Sequence, residues 1–175
     1  HIPFASAGED AAKCSITFGS PSKTFNIAGI VSSYAIVPYK ALRDKFFGYL
    51  RANEYNDAPI FSPIATIAAF REGEPWRRAM IEHVAGNIET VNSFCKDKMP
   101  GIKPLRPQAS FLIWLDCREL GLNHRELVSL FVDKAGLALN DGEMFGPQGR
   151  GFMRMNIGCP RSTVLEALER LHKAL

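Results

Sequence analysis

Apolar positions along this chain fall first into short runs broken by turn residues, and then into long stretches with helical spacing. "KCSITFGS" (13–20) joins β-branched and aromatic residues and stops at Gly-Ser-Pro, which predicts a strand running into a turn. "IAGIVSSYAIV" (27–37) is rich in Ile and Val, closes at Pro38, and predicts a second, buried strand beside the first. Lys23 then lies in the connection between two strands, a common place for chemistry.

Helical patterns come next. "PYKALRDKFFGYLRA" (38–52) has Pro38 near its first turn, with Leu42, Phe46, Phe47 and Leu50 at helical spacing. "SPIATIAAF" (62–70) is small and apolar on nearly every face, so it predicts a helix that is buried or covered by a partner subunit. "PWRRAMIEHVAGNIETVNSFCKDK" (75–98) places Pro75 in a first turn and repeats Ile81, Val84, Ile88, Val91 and Cys95 every three or four residues. At a rise of about 1.5 Å per residue this helix exceeds ~30 Å, long enough to join two domains.

The three prolines and one glycine of "MPGIKPLRP" (99–107) mark a loop and a boundary. Beyond it come a strand "SFLIWLDC" (110–117), a helix "NHRELVSLFVDKAG" capped by Asn123, and a short strand at "LALN" (137–140). The Gly-rich "DGEMFGPQGRG" (141–151) leads to a strand "FMRMNIGC" (152–159). A last helix carries Leu165, Leu168, Leu171 and Leu175 as one stripe. Residues 99–175 therefore predict a compact α+β unit.

Composition narrows the class. The 175 residues are 46% hydrophobic and 22% charged, enough for a sizeable core in a globular protein. The net charge is only +3, from 21 basic against 18 acidic residues, and the basic residues are scattered, which argues against nucleic acid as a partner. No apolar run reaches membrane-spanning length and no short apolar stretch follows a basic N-terminus as in a signal peptide, so the expectation is a cytoplasmic protein without a membrane partner. Cys14, Cys95, Cys117 and Cys159 are widely spaced and read as free, buried thiols; the dispersed His83, His124 and His172 lack metal-ligand spacing. The chain opens at His1 without methionine, as a processed end or an interior position of a longer protein.

Two stretches carry candidate chemistry. "GSPSKT" resembles the end of a phosphate-binding P-loop, but that motif needs glycine directly before the lysine and again six residues before it, where this chain has Ser22 and Thr17. The alternatives for Lys23 are an imine with a carbonyl cofactor, with Ser20 and Ser22 as hydroxyl anchors for its phosphate, or a solvated loop position. In "FMRMNIGC" the strand period puts Met153, Met155 and Ile157 on one face, and Phe152, Arg154 and Asn156 on the other. An arginine in an apolar strand calls for an anion: a substrate carboxylate held by both guanidinium branches, or an internal salt bridge to Asp116 or Asp141.

Together these stretches form a pattern. "SPSKTFNIAG" resembles the lysine motif of fold-type-I pyridoxal-phosphate (PLP) enzymes. "PQASFLIWLDCR" with "GRGFMRMNIGCPRS" downstream of it resembles the C-terminal signature of aminotransferase-like carbon–sulfur β-lyases, the MalY/PatB-like cystathionine β-lyase group. "HIPFAS" is similar to the stretch just C-terminal to the cofactor-binding aspartate segment of that group.

The resemblance implies an α/β fold: 1–74 as the end of a large PLP-binding domain, 75–98 as a connecting helix, and 99–175 as an α+β small domain. It implies pyridoxal 5'-phosphate as cofactor, Lys23 as the Schiff-base and proton-transfer residue, Ser20 and Ser22 at the phosphate end, and Arg154 on the α-carboxylate of an amino-acid substrate. It also implies a homodimer. Val31 stands where many aminotransferases of this fold carry a phosphate-binding arginine, which points to the lyase branch. The expected reaction is β-elimination giving pyruvate, ammonia and a thiol. An aminotransferase and a non-catalytic regulatory protein on the same fold are the alternatives. The aspartate for the pyridine nitrogen, the ring-stacking aromatic and the partner of the ring hydroxyl would precede His1, so the chain is expected to be a C-terminal portion, inactive by itself.

Overall fold

The computed structural model describes residues 2–55 and 58–175, so the opening His1 lies outside the described residues. The chain divides into two compact units, His1–Ala79 and Met80–Leu175.

The first unit begins with a 3-10 turn and the short helix α1 (Glu9–Lys13). Strands β1 (Thr17–Gly19) and β2 (Tyr34–Ile36) pair antiparallel, with Gly19 opposite Tyr34. The Tyr34 ring lies over Gly19, so an added Cβ would sit 2.4 Å from its far end and the exposed ring would have to swing away. Helices α2 (Lys40–Ala52) and α3 (Phe61–Glu72) come after them. Phe25 and Phe70 meet edge to face at 5.4 Å, and Tyr34 also meets Phe70.

One expectation fails in this unit and another is narrowed. The segment 27–37 is not one buried strand: Ala28–Ile30 is a 3-10 turn, Val31 is left-handed at φ +50°, and only three residues pair, with Tyr34 and Ile36 exposed. Of the two alternatives for helix α3, burial within the chain or cover by a partner subunit, the first does not hold among the described residues, since Phe61, Ile64, Ile67 and Phe70 are all at least half exposed.

The continuous 25-residue helix α4 (Glu74–Lys98) starts in the first unit and supplies Val84, Val91 and Cys95 to the core of the second. The second unit is an antiparallel sheet in the order β3 (Lys103–Leu105), β4 (Leu112–Asp116), β6 (Phe152–Asn156), β5 (Asn140–Asp141). Between β4 and β5 lie α5 (His124–Ser129) and the π-helical turn Leu130–Lys134; α6 (Arg161–Ala174) closes the chain. Asn123 and Glu126 form the capping box that starts α5, with Asn123 Oδ1 accepting from the Glu126 N–H at 3.1 Å.

Strand alternation works as expected. Ile113, Leu115, Met153, Met155 and Ile157 are buried against α4, the π turn and α6 in one cluster. The α6 stripe is Val164, Leu168 and Leu171; Leu165 and Leu175 are exposed. Strand β3 falls inside the stretch expected to be loop. Its Pro104 is tolerated because β3 is an edge strand. Fully buried Asn87 ties α4 to the end of β6: its Nδ2 donates to the Ile157 and Cys159 carbonyls at 2.9 and 3.0 Å, and its Oδ1 accepts from Arg161.

Candidate active site

The turn after β1 is built by hydroxyls. Ser20 Oγ donates to the Ser32 carbonyl at 2.6 Å and accepts from the Ser22 N–H at 3.2 Å. Because its single proton goes to Ser32, the 2.7 Å contact between the two serines is Ser22 Oγ–H donating to Ser20 Oγ. Ser32 Oγ in turn meets Thr66 Oγ1 at 2.6 Å, and buried Ser62 Oγ donates to the Ile30 and Val31 carbonyls. The turn and the strained Val31 are thus held to α3 by a chain of side-chain hydrogen bonds. Val31, at the position the resemblance singled out, keeps a left-handed backbone that costs a β-branched residue on the order of 1 kcal/mol.

Lys23 stands on this turn with an exposed side chain that enters no hydrogen bond or ion pair among the described residues. The turn is closed by Phe25 N–H to the Pro21 carbonyl and Ile27 N–H to the Ser22 carbonyl, which leaves the Lys23 and Thr24 N–H groups without a partner inside it. A free amine beside Ser22, with two backbone N–H groups unpaired among the described residues, fits a cofactor that has both an aldehyde and a phosphate. Ser20 fits less directly, since its proton already serves Ser32.

Arg154 belongs to the second unit, in the middle of β6. Neither expected internal carboxylate holds it. Asp116 takes Arg118 in a two-branched pair at 2.9 and 2.7 Å, and that hydrogen-bonded guanidinium holds the Asp116 carboxyl below its ordinary range. Asp141 lies 3.4 Å from His124 and accepts from the Glu143 N–H. Arg154 instead donates from Nη2 to Asn140 Oδ1 at 2.8 Å, stacks its guanidinium 4.6 Å from the Phe145 ring centre, and has a buried Nε with no partner. Among the described residues it has no anionic partner.

Asn140 and Phe145 were missed by sequence reasoning. Asn140 became visible only through the register, in which it is the β5 partner of Arg154. Phe145 sits on the loop Gly142–Phe145, closed by such a tight approach of Gly142 to Gly149 that an added Cβ would lie 2.0 Å from the Gly149 carbonyl oxygen. The Gly-rich composition signalled a tight loop but not its target.

No family model matches the chain. It is 39% identical over all 175 residues to the cystathionine beta-lyase PatB of Bacillus subtilis and spans 45% of that protein. Its fold superimposes with a TM-score of 0.94 on a PLP-bound putative aminotransferase from Clostridium difficile, at 37% identity over 99% of this chain and 45% of that one. It superimposes at 0.88 on cystalysin of Treponema denticola, which contains a pyridoxal 5'-phosphate cofactor, at 32% identity over 99% of this chain and 44% of that one. The chain therefore spans less than half the length of the relatives it matches.

Proposed function

We propose that this chain, which resembles aminotransferase-like carbon–sulfur lyases in sequence and fold over its whole length, carries the lysine and the carboxylate-binding arginine of a PLP-dependent β-lyase acting on cysteine thioethers. The observation that carries this reading is Arg154, a half-buried guanidinium held by a neutral amide and an aromatic face and lacking an anion. In the same reading residues 1–74 belong to a large cofactor-binding domain, 75–98 to a connecting helix and 99–175 to a small domain.

Lys23 would hold the cofactor covalently, with Ser22, and Ser20 once it releases the Ser32 carbonyl, at its phosphate end. When bound, the cofactor supplies an electron sink for the charge left at the substrate Cα. Arg154 binds and orients the α-carboxylate through its planar fork, which a lysine could not match. Lys23 Nζ takes the Cα proton as general base. The C–S bond at Cβ breaks with its electron pair leaving on sulfur, which takes up a proton as thiol, and water converts the remaining three-carbon unit to pyruvate and ammonia.

Borohydride reduction of the cofactor-loaded protein should leave a phosphopyridoxyl mass increment on Lys23. Pyruvate release from L-cystathionine without added keto acid identifies a lyase. No adduct on Lys23 overturns the reading.

Similarity to the putative aminotransferase supports a second reading, in which Lys23 returns the proton and an amino group is transferred. A strict keto-acid requirement would select it. A cytoplasmic homodimer completes the proposal; the exposed apolar side chains of α3 support a subunit contact, checked by light scattering.

A further inference from the structure

Helix α5 runs directly into the π turn, and the turn changes which side chains share a face. The Ala135 N–H donates to the Leu130 carbonyl at 3.0 Å, five residues back where an α-helix reaches back four. In an unbroken α-helix Asp133, two turns on from Arg125, would lie on the face of Arg125 and Ser129. The extra residue held in the π turn carries Asp133 off that face and brings Lys134 onto it. A cavity of about 550 Å³ opens there, lined by Arg125, Ser129 and Lys134, with Leu120, Leu122 and Leu130 on its apolar side. Asp133 is not among its lining residues.

Among the described residues neither Arg125 nor Lys134 enters an ion pair or a side-chain hydrogen bond, and the Ser129 hydroxyl has no partner either. Glu126 also lines the cavity, but its Oε2 is engaged by the Asn123 N–H at 2.8 Å in the capping box. The wall therefore keeps a net positive charge. Two cations and a hydroxyl match one carboxylate, and the leucines match an uncharged apolar body beside it. We propose that this cavity binds a small organic acid, a single carboxylate on an apolar body, with Arg125 and Lys134 holding the carboxylate. None of Lys23, Ser20, Ser22 and Arg154 lines it, so the site does not depend on the proposed function.

The test is amide NMR on the isotope-labelled full chain, titrated with phenylacetate, acetate and benzyl alcohol at about 0.15 M salt, where diffuse attraction between exposed charges is screened. Phenylacetate is expected to shift the amides of residues 129–135. It should bind about tenfold more tightly than acetate, which lacks the ring, and than benzyl alcohol, which lacks the charge. Arg125→Gln and Lys134→Gln, both on exposed side chains, should each weaken phenylacetate about tenfold, and their spectra show that the fold is kept. Leu122→Ser should remove the advantage over acetate, whereas Asp133→Asn should leave phenylacetate binding unchanged. No shifts at residues 129–135, or shifts confined to residues 152–156 around Arg154, overturn the proposal. So do equal affinities for the three probes, or an Asp133→Asn variant that strengthens binding as much as Lys134→Gln weakens it.

Discussion

Arg154 and Asn140 are register partners across β5 and β6, and Nη2 of the arginine donates to Oδ1 of the asparagine at 2.8 Å. A neutral amide orients the guanidinium without neutralising it, so its charge stays available for an incoming carboxylate. An aspartate in that position would compete with the ligand.

On the proposed function, Asn140→Asp should therefore weaken carboxylate binding at Arg154 by about tenfold or more, because the internal ion pair must be broken first. Asn140→Ala should cost less, since Phe145 still supports the guanidinium. Titration calorimetry of the two variants with one amino acid checks the order. If Asn140→Asp binds as tightly as the unaltered chain, the asparagine has no part in keeping Arg154 free.

Val31 carries a left-handed backbone at φ +50° that glycine adopts without penalty. Val31→Gly should raise stability by roughly 1 kcal/mol, less what glycine loses by its greater freedom in the unfolded chain. Denaturant unfolding measures the sum. A loss of more than about 1 kcal/mol would mean that the valine side chain makes up for its own strain.

Thiol reactivity should track burial. Cys95 is pushed up to about 11, and Cys117 to about 12, by desolvation in the core, with Asp116 adding to the latter. Cys159, only partly buried, is raised by the same cause, and Cys14 is exposed, so the buried thiols expected from spacing are Cys95 and Cys117 alone. With iodoacetamide at pH 8, mass spectrometry should find Cys14 labelled first and Cys159 slowly, with Cys95 and Cys117 unlabelled until denaturant is added. Early labelling of Cys117 would contradict its burial.

Glu74 opens α4 and is held well below its ordinary value, at about 2, by hydrogen bonds from Arg77 and Arg78. A depressed carboxyl stabilises the fold fully above its unfolded pKa near 4.5, and the contribution disappears as pH falls through about 2. Glu74→Gln should lower the melting temperature slightly at pH 7, with the difference shrinking below pH 4.5 and gone near pH 2. Because the group is exposed, 1 M salt should reduce the effect as well. A difference that persists unchanged at pH 2 would assign the effect to the glutamine itself.

Element types and chemical candidates were legible in the order of residues. The helical period of α4, the Asn123 cap and the two-residue period of β6 are local patterns that keep their meaning when a chain packs, so the core face of Met153, Met155 and Ile157 could be read directly. Lys23 and Arg154 stood out because a lysine among hydroxyls and an arginine in an apolar strand need a reason.

Other features depended on tertiary contacts. The β-branched residues 27–37 favour a strand, but the hydroxyls of Ser62 and Ser20 claim the Ile30, Val31 and Ser32 carbonyls and turn the backbone aside. Pro104 hid β3 because whether a missing N–H matters depends on which side of the strand a neighbour occupies. The partner of Arg154 was undecidable from sequence for the same kind of reason: Asp116 and Asp141 are both near in sequence to β-strand positions facing it, yet Arg118 and His124 reach them instead. The chain's residue order determined which groups need a partner; only the register of four strands, a long-range property, decided that this arginine received an amide and an aromatic ring and kept its charge free.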